Sequence, residues 1–134
     1  MTTFTGIPQN TVLRPSGPCN HLFVIITTPD GEPPKVVAVN VSTKRGNSDT
    51  TTVLLQGEHS FLTKPESIIR YDQAELIEVD DLITAVNNGH LTALEDMSDA
   101  VFQRICDGID ASPDTPQDIK DQYQKLKPDQ QAAA

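Results

Sequence analysis

The chain has 134 residues, of which 37% are hydrophobic and only 4% aromatic, and it carries a formal net charge of −9. This length predicts one domain whose core is built from Val, Ile and Leu. No apolar run approaches the ~18 residues of a membrane span. The N-terminal MTTFTGIPQN lacks the charged and apolar regions of a secretory signal, so we expect a cytoplasmic protein with no membrane partner.

The charge is unevenly distributed along the chain. Residues 1–71 contain six Lys or Arg and five Asp or Glu, whereas residues 72–134 contain four and fourteen. The second half therefore repels a phosphate backbone, and contact with phosphate is expected only from the cations of the first half. These cations are Arg14, Lys35, Lys44, Arg45, Lys64 and Arg70. Two cysteines, Cys19 and Cys106, match no zinc or redox spacing and are interpreted as free thiols.

The first part of the chain predicts strands. Residues 1–20 are rich in Thr, Pro and Gly and predict an irregular arm. Apolar, β-branched runs separated by turn residues then predict five short strands. These runs are LFVIITT (22–28), KVVAVNVST (35–43), TTTVLL (50–55), SIIRY (67–71) and AELIEV (74–79).

The second part predicts helices. Residues 80–89 fit a short helix that Gly89 ends. Residues 98–110 fit an amphipathic helix with Ser98 as its N-cap, and residues 112–126 offer another helix start. The last residues, KPDQQAAA, predict a disordered tail.

Strands followed by helices indicate a mainly β, α+β protein: a small antiparallel barrel with C-terminal amphipathic helices packed on one side. We divide the chain into an irregular arm (residues 1–20), a barrel with packed helices (21–112), and a C-terminal helix with a disordered tail (113–134). Closing the sheet into a barrel would protect the edges of such short strands.

The triplet Glu58-His59-Ser60 is the first candidate for chemistry, because it follows Gly57 at the end of a predicted strand. A His of near-neutral pKa moves protons in either direction. We expect His59 to face a cleft, with His21 and Asp49, both at predicted strand starts, at the same end of the barrel. The alternative is that the triplet is an ordinary loop.

Other polar residues at strand ends suit substrate contacts. Hydroxyls followed by cations favour phosphate binding, and a Tyr in a strand favours a core position with its hydroxyl at the rim. Neither a P-loop nor a zinc motif is present, so we expect no metal and no cofactor. The candidate substrate-binding residues are Ser42, Lys44, Arg45, Ser60, Ser67 and Tyr71.

Several segments carry a resemblance to known proteins. HLFVIITTP, VNVST, DTTTVLLQGEHSF, SIIRY and ASPDTP are similar to a group of short, mostly uncharacterised bacterial and phage proteins, in which a D…GxHxF segment and a later Tyr close the barrel region. The arrangement of strands and terminal helix over roughly residues 12–110 also resembles the MazF/PemK toxin superfamily.

The MazF/PemK resemblance implies an SH3-like barrel, often a homodimer, and a metal-independent endoribonuclease that cleaves single-stranded RNA. The Arg of that family's catalytic pair falls on Arg14, and its Thr or Ser falls on Thr43 or Ser42. His21 and His59 are then the alternative acid and base. RNA and an antitoxin are the implied partners. The competing hypothesis is a non-catalytic interaction module whose acidic C-terminal half faces a basic protein.

Overall fold

The computed structural model describes residues 4–16 and 19–126, without the side chains of Ser16 and Cys19. Strands and helices follow one another in the predicted order, with two differences. Two short strands were not predicted, one before the first predicted strand and one between the first two helices, and two of the predicted strands are a single strand. The elements are β1 (Thr11–Ser16), β2 (Cys19–Ile25), β3 (Lys35–Thr43), β4 (Val53–Leu55), β5 (Glu66–Glu78), α1 (Val79–Asn87), β6 (Thr92–Leu94), α2 (Asp99–Ala111) and α3 (Gln117–Leu126).

The strands form one antiparallel sheet in the order β4-β5-β3-β2-β1-β6, curled into a half-barrel. β3 lies at the centre, and its residues from Val36 to Val41 are buried, as a near-continuous apolar run predicts for a strand covered on both faces. The prediction of a mainly β, α+β protein with a small barrel-like antiparallel sheet and later helices is confirmed at this level.

Both faces of the sheet carry a hydrophobic core. On the first face, alternate residues such as Leu22, Val24 and Val39 pack with α2 and α3. On the second face, Phe23, Ile25 and their neighbours pack with α1. The pleat sends successive side chains to opposite faces, so β2 supplies both cores from one run.

β5 replaces two of the predicted strands. SIIRY and AELIEV belong to one strand, and its register against β3 shifts between the pairs Asn40–Arg70 and Ala38–Glu75. Three more residues are used on β5 than on β3 across this interval, which is a bulge. The bulge lies between the two predicted segments and joins them in one bent strand.

The predicted arm over residues 1–20 is wrong for much of its length, because β1 begins at Thr11 and β2 at Cys19. Pro15 falls inside β1, which pairs with β6 only over Thr11–Leu13. Proline is tolerated there because that side of the strand has no β6 partner.

The helices are close to their predicted positions. α1 is followed by Gly89 with a positive φ of 80°, and the Ser98 hydroxyl caps α2 by accepting from the Val101 N–H. α3 begins at Gln117, five residues later than predicted. The predicted disordered tail lies outside the described residues. Within residues 4–16 and 19–126, no helix is long and apolar enough to cross a membrane.

Candidate functional site

The Glu58-His59-Ser60 triplet is a structural connection. The His59 side chain is only 1% exposed. Its Nε2 donates to the backbone oxygen of Glu95 at 2.8 Å, and its Nδ1 accepts from the Phe61 N–H at 3.1 Å. Both ring nitrogens are occupied, so the expectation that His59 faces a cleft is wrong.

The two neighbours of His59 complete this connection. Both the N–H and the hydroxyl of Ser60 donate to the Glu95 carboxylate, and they hold the pKa of Glu95 below its usual value. Glu58 accepts from Arg104 of α2 and from the Leu55 N–H, each at 2.7 Å. The bond from Arg104 is the main cause that lowers the pKa of Glu58.

Glu95 follows β6 directly, and the triplet lies in the turn after β4. These are the two edge strands of the sheet. The hydrogen bonds from His59 and Ser60 to Glu95 therefore tie the two open edges of the half-barrel together. This connection requires the triplet to stand at the end of an edge strand.

Asp49 and Tyr71 are also used by the fold. Asp49 lies in the loop before β4, where it accepts from Thr51 and from the Ser112 hydroxyl. Burial opposes its charged form, but these bonds outweigh burial and lower its pKa. Tyr71 is fully buried and donates to the Ile105 oxygen at 2.7 Å, so its hydroxyl is beneath α2 and not at a rim.

Several of the remaining candidates meet in one pocket of about 300 Å³, which we call the basic pocket. It forms at the sheet end where β2 starts, β3 ends and β5 starts, with the loop before β5 as its far wall. Antiparallel pairing brings these chain ends together: His21 precedes Leu22, which pairs with Val41, and Thr43 pairs with Ser67. Its lining residues are Asn20, His21, Val41, Ser42, Thr43, Arg45, Phe61, Thr63, Lys64 and Ser67.

The side chains that line the basic pocket are either cationic or neutral. Two cations, one His, four hydroxyls and one amide line it, and no Asp or Glu is among the lining residues. Among the described residues, neither Arg45 nor Lys64 forms an ion pair, whereas Lys44 next to them is 3.2 Å from Glu66. Hydroxyl and cationic donors without a competing carboxylate are the groups that bind a phosphate.

A second hollow of about 660 Å³ adjoins the basic pocket and shares His21 with it. It contains Arg14 and Arg70. Arg70 makes a two-point contact with Asp72 at 2.8 and 2.9 Å, and Arg14 lies 4.0 Å from Glu75. Both cations here thus have a carboxylate within 4.0 Å, whereas Arg45 of the basic pocket has none from a described residue at that distance, although it also lines a hollow that contains Asp49, Asp72 and Asp114.

The structure thus brings together His21, Thr43, Ser42, Arg45 and Ser67 of the predicted site residues. Arg14 lies in the adjoining hollow. The remainder are engaged in structural bonds or pairs elsewhere: His59, Asp49, Lys44, Ser60 and Tyr71.

Five lining residues were not among the predicted site residues: Asn20, Val41, Phe61, Thr63 and Lys64. Phe61 lines the basic pocket and also packs against the first core. The sequence marks Thr63 and Asn20 only weakly, since Thr63 stands in a Thr-Lys pair before Pro65 and Asn20 is an amide beside His21.

No group of three His, Cys, Asp or Glu side chains in the described ranges is placed to hold a metal ion. Comparison of the chain with protein-family models, with curated proteins and with solved structures finds no match.

Proposed function

We propose that the protein is a toxin-like, metal-independent endoribonuclease that binds single-stranded RNA in the basic pocket. One observation supports this most: two cations and four hydroxyls converge in a pocket that has no carboxylate lining it. In a chain of net charge −9, such a pocket is where an anionic backbone meets attraction and not repulsion. The curled sheet is compatible with the SH3-like barrel that the MazF/PemK resemblance implies.

His21 is the proposed base. It would take the proton from a ribose 2′-hydroxyl, whose oxygen attacks the adjacent phosphorus. The bond from phosphorus to the 5′-oxygen then breaks, water protonates that oxygen, and a 2′,3′-cyclic phosphate remains. Arg45 and Lys64 would stabilise the charge that develops on the phosphate oxygens, and the Thr43 hydroxyl would donate to one of them. Phe61 offers an aromatic face on which a base can stack.

This assignment moves the proposed chemistry from His59 to His21. His21 is half-buried at the mouth of the pocket, whereas His59 is enclosed. Arg14, the position that the resemblance favours for the catalytic Arg, lies outside the basic pocket, and Arg45 takes its proposed role.

The experiment is an anisotropy titration with a fluorescent single-stranded RNA at low salt. Arg45→Ala and Lys64→Ala should each weaken binding by about three- to tenfold. Lys125→Ala removes the same charge from the exposed end of α3 and should leave binding unchanged. Equal losses in all three variants would show that only net charge matters, and would overturn the pocket.

Cleavage is tested separately. His21→Ala should retain RNA binding and lose cleavage, and an RNA with a 2′-deoxy sugar at the cut site should bind and stay intact. Binding without cleavage by the unaltered protein would reject the enzyme and leave an RNA-binding module.

A non-catalytic protein-interaction module is the second candidate, favoured by one observation. The exposed carboxylates of α2 and α3, including Asp107, Asp110, Asp118 and Asp121, form no ion pair with a described cation. A basic protein partner would neutralise them. Absence of RNA binding, together with salt-sensitive binding of a basic protein that charge reversal at Asp118 and Asp121 abolishes, would select this candidate.

A further inference from the structure

We propose that the groove between the second face of the sheet and α1 binds a small amphipathic carboxylate, with its apolar chain in the groove and its carboxylate on Arg14. We call this the α1 groove. It shares no lining residue with the basic pocket, so the proposal is independent of the RNA-binding function.

The α1 groove has the size and walls of a ligand site. Its volume is about 690 Å³, within the ~300–1,000 Å³ that is typical of small-molecule pockets. Apolar side chains from four strands and the helix form the walls, among them Val12, Phe23, Ile25, Ala38 and Leu82. The groove exists because α1 has only nine residues and covers part of this face. Ile77 and Leu91 at its margins are only partly buried as a result.

Arg14 stands at the entrance of the groove. Its Cζ lies 5.6 Å from the centroid of the Phe23 ring, which is itself part of the wall. Its side chain is 56% exposed, its nearest carboxylate oxygen is 4.0 Å away on Glu75, and it makes no hydrogen bond to a described residue. The ring holds the guanidinium over the apolar wall, and the paired N–H donors match a carboxylate.

The charged and titratable groups that line the groove are of both signs, so the proposal of a carboxylate rests on the placement of Arg14 over the apolar wall. β1 contributes Arg14, the turn after α1 contributes His90, β5 contributes Glu75, and α1 contributes Asp81. A bound carboxylate would replace Glu75 beside Arg14 and would be repelled by Glu75 and Asp81. A cationic ligand would have the opposite preferences, so neutralising single residues tells the two apart.

Decanoate is a suitable probe, used below its micelle concentration and followed by calorimetry and by NMR shifts of the groove residues. We expect saturable one-to-one binding with a Kd of about 1 mM or tighter. Arg14→Gln should weaken binding about tenfold, and Glu75→Gln should strengthen it. Ala85→Leu, which fills the groove from α1, should abolish binding. Lys125→Gln is the control of equal charge change and should have no effect.

Each part of this proposal has a result that would overturn it. Decyltrimethylammonium binding more tightly than decanoate, with the two charge variants reversed in sign, would mean a cationic ligand. Equal binding of decanol and decanoate would remove the role of Arg14. No saturable binding of decanoate, or binding unchanged by Ala85→Leu, would reject the groove as the site. Melting curves of the variants, whose four altered residues are exposed or half-buried, establish that each is folded.

Discussion

His59 shows at the scale of a single residue how one sequence feature serves two opposite interpretations. A His beside a Gly at a strand end fits a catalytic base, and it equally fits a buried group that satisfies two backbone atoms. The neutral ring is suited to the second role, since Nε2 donates to the Glu95 oxygen while Nδ1 accepts from the Phe61 N–H. Removing the ring leaves the Phe61 N–H without its partner, whereas the Glu95 oxygen keeps the bond that it accepts from the Thr11 hydroxyl.

We therefore expect His59→Ala to lower the free energy of unfolding by about 2–4 kcal/mol, from the unpaired Phe61 N–H, the lost bond to Glu95 and the cavity left behind. Urea denaturation followed by circular dichroism measures this change. His90→Ala is the matched control, because His90 is exposed and its loss should cost within about 0.5 kcal/mol. A loss of RNA cleavage in a His59→Ala protein of unchanged stability would contradict the structural role.

Cys106 gives a second prediction at this scale. Burial is the main cause that raises the pKa of its thiol to about 11. Because the thiolate is the reactive form, Cys106 in a Cys19→Ser variant should resist a disulfide reagent at pH 8 and react only after denaturant is added. Rapid labelling of the folded variant at pH 8 would show that the thiol is accessible.

The raised pKa of Cys106 also makes the stability of the fold depend on pH. The stabilisation from keeping the thiol neutral is present below the unfolded pKa, about 8.5, and is lost as pH rises through about 11.

At the scale of elements, the contact of α2 with β5 depends on one glycine. A Cβ on Gly108 would lie 2.0 Å from the Tyr71 hydroxyl and 2.4 Å from Thr52 Oγ1. The absent side chain allows the Tyr71 hydroxyl to reach the backbone of α2 at Ile105. A glycine that weakens the helix when considered alone is thus what allows the helix to pack.

Gly108→Ala tests this directly. Helix propensity alone favours alanine by about 1 kcal/mol, but the clash with buried groups should outweigh it and destabilise the protein by about 1–3 kcal/mol. Gly46→Ala is the control, because nothing lies within 4 Å of its added Cβ. Equilibrium denaturation of both variants gives the comparison, and a more stable Gly108→Ala protein would refute the packing argument.

The elements also show what the sequence could and could not predict. Long periodic segments such as β3, α1 and α2 were predictable, because alternation and amphipathic spacing survive within them. β1 was missed because Pro15 and its Thr-rich surroundings indicate a loop, and β6 because three residues carry no periodicity. The strand ends named His21, Ser42, Thr43 and Ser67 as candidates for one site, since antiparallel pairing gathers such ends. Which polar groups are consumed by structural bonds depends on distant residues, as with Glu95 for His59, and no local pattern encodes it.

At the scale of the whole molecule, the excess of acidic residues and the basic pocket come from different parts of the chain. Four Lys or Arg and fourteen Asp or Glu lie in residues 72–134, whereas every residue that lines the basic pocket comes from residues 20–67. The sheet presents its cationic end, and seven of the nineteen Asp and Glu residues lie in the three helices. Such a division allows a protein of strongly negative net charge to offer a local anion site, at the cost of repulsion within its acidic half.

This division predicts opposite responses to salt from one molecule. Screening weakens the attraction between the basic pocket and RNA. If Arg45 and Lys64 each meet one phosphate, the logarithm of the binding constant should fall against the logarithm of salt with a slope of about −1.4.

The same screening relieves repulsion among the carboxylates of residues 72–134, while the exposed ion pairs that it weakens contribute little. The melting temperature should therefore rise by about 2–4 °C between about 50 and 200 mM salt. Anisotropy titrations and thermal melts over one salt series measure both trends. Lys64→Ala should reduce the slope for RNA and leave the rise in melting temperature intact, because only the first depends on the pocket. A slope that is unchanged in that variant would place the phosphate contacts elsewhere.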